Sequence, residues 1–238
     1  RDVTRHLIQG IPLGLQFSVL AIGIIVMQSV IVQFDTLGGE MVSNAAQNGF
    51  GAANKLNNLL MTPLNGLGAA MTSFTAQNLG AGDHARIRKG TVQALIIVWT
   101  MCLISIAAGL LLSRGGGYLY IFLSPDKVTA ETMRYGNTYL YVDLSLYLFL
   151  GFIFVVRNCV QGIGKPQFVL GAGAAELAAR VSVCLLLPPL IAGGPVNSDA
   201  PRAAVYALCF ADPFAWMAAD AVLLVPFLRN IMKMDYRY

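Results

Sequence analysis

Charge is scarce in this chain. Of its 238 residues, 12% are Asp, Glu, Lys or Arg, where a soluble domain carries about a quarter, so an ordinary solvated surface is excluded. Histidine is nearly absent. His6 and His84 stand apart, with no HExxH pair, no GxSxG nucleophile turn and no GxxxxGK(S/T) phosphate loop, and this argues against an enzyme. The four cysteines, Cys102, Cys159, Cys184 and Cys209, occur singly in apolar stretches without a CxxC or a neighbouring His. They read as packed thiols, and no metal site is expected. No signal-peptide pattern precedes the first apolar run, and the first residue is Arg1, so the sequence reads as a piece of a longer chain.

What fills the chain is apolar sequence: 56% hydrophobic residues and a mean hydropathy of +0.64. Residues 7–34 contain no charge, and at about 1.5 Å rise per residue such a run exceeds a hydrocarbon core of about 30 Å. Further runs of span length follow, and no stretch alternates as a barrel strand does. The expected fold is an all-α integral membrane protein, a single six-transmembrane-helix bundle over 1–238. Its spans are expected near 9–33, 45–78, 90–113, 135–156, 168–191 and 203–228.

The net charge of +4 fits this topology better than a nucleic-acid partner. With six spans, Arg1, Arg5, Arg229, Lys233 and Arg237 share a face with Arg86, Arg88, Lys89, Arg157 and Lys165, while the opposite loops are roughly neutral. The positive-inside rule then puts both termini in the cytoplasm.

An ionisable group at the bilayer centre costs about 3 kcal/mol on insertion scales, so each one needs a partner or a wet cavity. Glu176 and Arg180 are four apart, the spacing of a structural ion pair on one helix face, although a part in transport stays open. Asp143 has no basic neighbour at helical spacing; it is either a cation-coupling carboxylate or a hydrogen-bonded acid near the headgroups. Lys55 sits among amides, with Asn54, Asn58 and Asn65 along one side of the second span. That stripe either lines a substrate cavity or forms amide bonds between helices. Asp212 and Asp220 either line the same cavity or meet Lys55, and Gln28, with Gln16, is a weaker cavity candidate.

Between the second and third spans lies Gln77-Asn78-Leu79-Gly80-Ala81-Gly82-Asp83, followed by Arg86-Ile87-Arg88-Lys89-Gly90. Asp83 is placed to cap the third helix, and the arginines face anionic headgroups. This stretch resembles the cytoplasmic-loop motif of the multidrug and toxic compound extrusion (MATE) family. Gly10-Ile-Pro-Leu-Gly14, the run at 52–56, Met61 to Pro63 and Gln161-Gly-Ile-Gly-Lys-Pro166 are similar to that family in the same order.

The resemblance implies one lobe of a two-lobe transporter, the C-terminal lobe of helices seven to twelve, with the N-terminal lobe missing. It also implies antiport of drugs, toxins or organic cations against sodium ions or protons, by alternating access across the cell (inner) membrane. No cofactor is implied beyond the coupling ion, and the partners are a cationic or amphipathic small molecule and the lipid bilayer. Some members place a C-lobe cation site on carboxylates of the seventh and tenth helices. Asp143 falls on the matching tenth, whereas the first span has no internal acid. Alternatives are a lipid-linked sugar flippase, which the lack of a cavity string of Arg and Lys disfavours, and a non-transporting membrane scaffold.

Overall fold

The structure is a computed structural model that describes residues 2–233, without the side chains of 2–9, 12, 13, 16 and 17. Arg1 and Arg237, and the side chains of Arg5, His6 and Gln16, lie outside the described residues. The first helix, α1, runs over Asp2–Gln33. A two-residue hairpin follows, β1 (Thr36–Leu37) against β2 (Glu40–Met41). Its turn uses Gly38 and Gly39, both at positive φ (62° and 88°), the geometry in which two-residue hairpins close. Asp35 is buried, and its two carboxylate oxygens accept the amide protons of Ala46 (3.0 Å) and Gln47 (2.9 Å), so a residue before the hairpin caps the next helix.

That helix, α2 (Ala45–Gly80), is the spine of the bundle. Gly49 faces the backbone of Thr132 and Gly136, Gly68 faces Asn158, and Thr72 and Thr75 face Gly162. Lipid offers no hydrophobic drive to pair helices, so small residues that let backbones approach closely set which helices meet.

The motif at 77–90 folds into a tight corner. Ala81 donates to the Gln77 carbonyl, Asp83 donates to the Asn78 carbonyl, and Gly82 turns the chain at φ 72°. The Asp83 carboxylate accepts from the amide of Arg86 (2.9 Å) and so caps α3 (His84–Ser113). A side chain at Gly90 would collide with the Phe74 ring, and the Arg86 guanidinium lies 5.9 Å above the same ring.

The connection after α3 holds a 3₁₀ turn (Arg114–Gly116), the short α4 (Leu119–Phe122) and a second turn (Pro125–Lys127). Thr129 then caps α5 (Ala130–Ser145), which is followed by α6 (Tyr147–Gly162). The fourth span, expected as one helix over 135–156, is therefore broken: α5 and α6 meet at 57°. Leu146 leaves the helical region (φ −116°, ψ 17°), and the Ser145 hydroxyl bonds the Val142 carbonyl at 2.7 Å, a back-bond that bends helices.

Next comes α7 (Pro166–Ala192), ended by Gly193 at φ 72°. The last segment is also divided, into α8 (Arg202–Cys209), α9 (Ala211–Pro226) and a π-helical turn at Phe227–Ile231. Pro213 accounts for the first break, because its ring excludes the carbonyl of Cys209 four residues back.

Among the described residues, three helices are long and apolar enough to cross a membrane: His84–Gly116, Pro166–Ala192 and Arg202–Ile231. The α5–α6 pair makes a fourth if counted as one bent span. The protein is an all-α, multi-pass membrane protein apart from the hairpin. Two tertiary bonds identify its ends. Ser198 donates to the Thr36 carbonyl at one end, and Lys165 Nζ donates to Asn230 Oδ1 (2.7 Å) at the other.

Candidate functional site

A cavity of about 410 Å³ opens between α1, α2, α6, α7 and α9. The α2 wall supplies amides: Asn54, Asn57, Asn58 and Asn65. Asn54 and Asn58 are one helical turn apart, and Asn58 donates to the Asn54 side chain at 2.9 Å. The facing wall carries charge. Arg157 of α6 donates to Glu176 of α7 at 2.7 Å; Glu176 also pairs with Arg180 at 3.4 Å; and Arg180 pairs with Asp212 of α9 at 2.7 Å.

These four residues alternate in sign and sum to zero, which is what lets them sit together away from bulk water. The expected pair of Glu176 and Arg180 is thus the middle of a longer chain. Arg157, expected in a cytoplasmic loop, lies inside the bundle with its side chain 13% exposed. The reason is length: α6 continues to Gly162, so Arg157 is still a turn short of the end.

The chain connects to a second cluster through Tyr139. Its hydroxyl donates to Asp212 Oδ2 (2.9 Å), accepts from Asn54 Nδ2 (3.2 Å), and lies against Asp143 as well. Asp143 is fully buried behind the cavity wall. Asn57 donates to its Oδ2 at 2.8 Å, and its Oδ1 has no hydrogen-bond partner. The Asn57 side-chain oxygen is also unpartnered.

Three cavity candidates fall elsewhere. Lys55 is exposed and does not line the cavity, because one step of about 100° from Asn54 turns it off that face. It does not meet Asp212, whose cation is Arg180. Gln28 is exposed on α1 and likewise does not line it. Asp220 lines a separate, largely apolar groove with Trp99, Phe149 and Phe152, since two turns along α9 rotate it away from Asp212. Gln77, Asn78, Gly80, Gly82, Asp83, Arg86, Arg88 and Gly90 belong to the corner between α2 and α3, remote from the cavity.

Sequence reasoning missed Tyr139, Asn57 and Arg157 as partners. Tyr139 was within reach, being four residues before Asp143 and hence on its face. Asn57 and Arg157 carried no such local signal.

The MatE family model matches residues 13–186, well over half of the chain. The chain belongs to the MatE family. Its members are transporters and not enzymes. The chain is 30% identical over 174 residues to a probable multidrug resistance protein, YpnP, of Bacillus subtilis (strain 168). The alignment covers 68% of this chain and 33% of that protein, so the MatE chain spans about a third of the length of this curated relative. No solved structure matches it.

Proposed function

We propose that this MatE chain is the C-terminal lobe of a secondary antiporter that exports drugs, toxins or organic cations in exchange for sodium ions or protons by alternating access. In this reading the chain forms six spans in the cell (inner) membrane with both termini in the cytoplasm, and a second, N-terminal lobe completes the transporter. Asp143 is the coupling carboxylate. Asn54, Asn58, Asn65 and Asp212 line the path of a cationic or amphipathic substrate.

The observation that carries the reading is Asp143 itself: a fully buried carboxylate with one oxygen unpartnered, next to a polar cavity among membrane helices. Such a group is costly unless it is partnered or faces a wet cavity, the setting in which a carboxylate can exchange an ion. The name of the Bacillus relative, a probable multidrug resistance protein, supports the substrate class.

The test is Asp143→Asn in the complete transporter, followed by efflux of ethidium from proteoliposomes under an imposed ion gradient. Ion-driven efflux should fall about tenfold or more, a loss of about 1.4 kcal/mol or more in coupling, with membrane expression unchanged. Wild-type efflux from the variant would remove Asp143 from the relay.

A further inference from the structure

We propose that the groove between α3, α6 and α9 is a second binding site, open to the hydrocarbon of the bilayer, which takes a lipophilic cation on the Asp220 carboxylate. The site is separate from the cavity described above, and the proposal does not depend on the antiporter reading.

The groove encloses about 600 Å³, a volume in the range of sites for drug-sized molecules. It lies on the far side of α6 from the cavity: Leu148, Phe149 and Phe152 face the groove, while Leu150, Ile153 and Arg157 face the cavity. Trp99, Phe149 and Leu224 on its walls are exposed. The groove therefore opens on the outside of this bundle.

Among the residues that line it, Asp220 alone is charged, and its Oδ1 is buried without a hydrogen-bond partner. The charges that act on it are Arg157 and Glu176, which hold each other at 2.7 Å and belong to the four-residue chain that already sums to zero. Asp220 is thus a surplus negative charge on this side of α6. Next to hydrocarbon such a charge needs a partner.

Depth and chemistry narrow what that partner is. Asp220 stands ten residues before Asn230, which marks one end of the bundle through its bond from Lys165. Ten residues of helix rise about 15 Å, half of a hydrocarbon core of about 30 Å, so the carboxylate sits near mid-membrane. A phospholipid keeps its headgroup at the interface, and a hard metal cation takes about six oxygen ligands, which one carboxylate among apolar side chains does not supply. The positive charge has to arrive on a molecule whose own body is apolar.

The aromatic walls suit the same guest. The Trp99 indole is fixed by its N–H bond to the Leu148 carbonyl (3.2 Å), and Phe152 packs edge-on against Phe227 with ring centroids 5.5 Å apart. Both rings are held in place before anything binds. Aromatic rings accept an apolar body and also attract a cation, Trp most strongly.

The test is binding of tetraphenylphosphonium to the complete protein in lipid nanodiscs, with tetraphenylborate, of the same shape and opposite charge, as the comparison. The cation should bind saturably, and the anion should only partition into lipid. A photoreactive derivative of the cation should label the segments that carry Trp99 and Leu224. At that labelled site Asp220→Asn should weaken binding about tenfold or more, Trp99→Ala about threefold, and Asp220→Glu, which keeps the charge, less than about threefold. Ala221→Phe, which fills the groove and leaves the charge, should abolish the label, while any label on Asn58 or Asn65 in the cavity stays.

Equal saturable binding of the two ions overturns the proposal, as does undiminished labelling of the groove in Asp220→Asn or labelling confined to the cavity. If Asp220→Asn fails to fold, Ala221→Phe and the comparison of the two ions still decide. These outcomes leave Asp143 untouched, since its efflux test stands by itself.

Discussion

At the scale of single residues, buried charge dominates. Arg157, Glu176, Arg180 and Asp212 lie in contact, with Glu176 and Arg180 each shared between two partners. Removing one member of such a chain leaves its partner charged in a poor solvent, which costs about 3–5 kcal/mol, more than the pair itself contributes. Glu176→Gln should therefore destabilise the protein by about that amount, read as a lowered unfolding temperature in detergent, with Arg157→Gln cheaper because it ends the chain. The double variant Glu176→Gln with Arg157→Gln should cost less than the sum, and additivity would show that the 2.7 Å contact contributes nothing. Only part of this was legible in the sequence. The spacing of Glu176 and Arg180 along one helix gave their pairing, while Asp212 is 32 residues from Arg180 and could be joined to it only by the packing of α9 on α7.

At the scale of elements, α2 is held by close approach. Gly49 and Gly51 are neighbours on the same helix with opposite surroundings: a Cβ at Gly49 would collide with the Thr132–Gly136 backbone, and one at Gly51 meets nothing within 4 Å. Gly49→Ala should cost about 1–3 kcal/mol through overpacking. Gly51→Ala should be neutral or gain about 0.5–1 kcal/mol from helix propensity. Equal thermal stabilities of the two variants would contradict the crossing of α2 and α5. Asp35→Ala removes the cap of α2 and should cost about 1 kcal/mol in the same measurement.

The breaks in helices differ in how readable they were. Pro213, four residues after Cys209, carried a local signal for the end of α8, although one unbroken span over 203–228 was expected. The 57° bend at Leu146 did not announce itself, because no Pro or Gly stands there and the Ser145 back-bond is a rotamer choice.

At the scale of the whole molecule, the two ends of the bundle set the topology. The hairpin and the 193–201 connection share one end, and Lys165 shares the other with Asn230. The four native cysteines are buried, so introduced ones report cleanly. In intact cells a membrane-impermeant maleimide should label Asp199→Cys, and it should label Ala85→Cys only after permeabilisation; the reverse pattern would invert the proposed orientation. In the proposed transporter this chain supplies one wall of a two-lobe cavity. Reconstituted alone it should show no gradient-driven ethidium efflux, and efflux at the rate of the complete transporter would place the whole function within this lobe.

Composition and local spacing determined what this protein is made of: membrane helices, because charge-free runs longer than about 20 residues have nowhere else to be stable, and a capped corner at 77–90, because Asp83 and Gly82 act on their immediate neighbours. Those interactions fall within a turn or two of chain and so can be read along it. Which buried carboxylate meets which cation, and that Asp143 faces Asn57 across 86 residues, only the tertiary structure decided. The physical reason is that helix packing in a bilayer depends on backbone approach at particular small residues. A slide of one turn between α2 and α5 would keep every helix and exchange every partner.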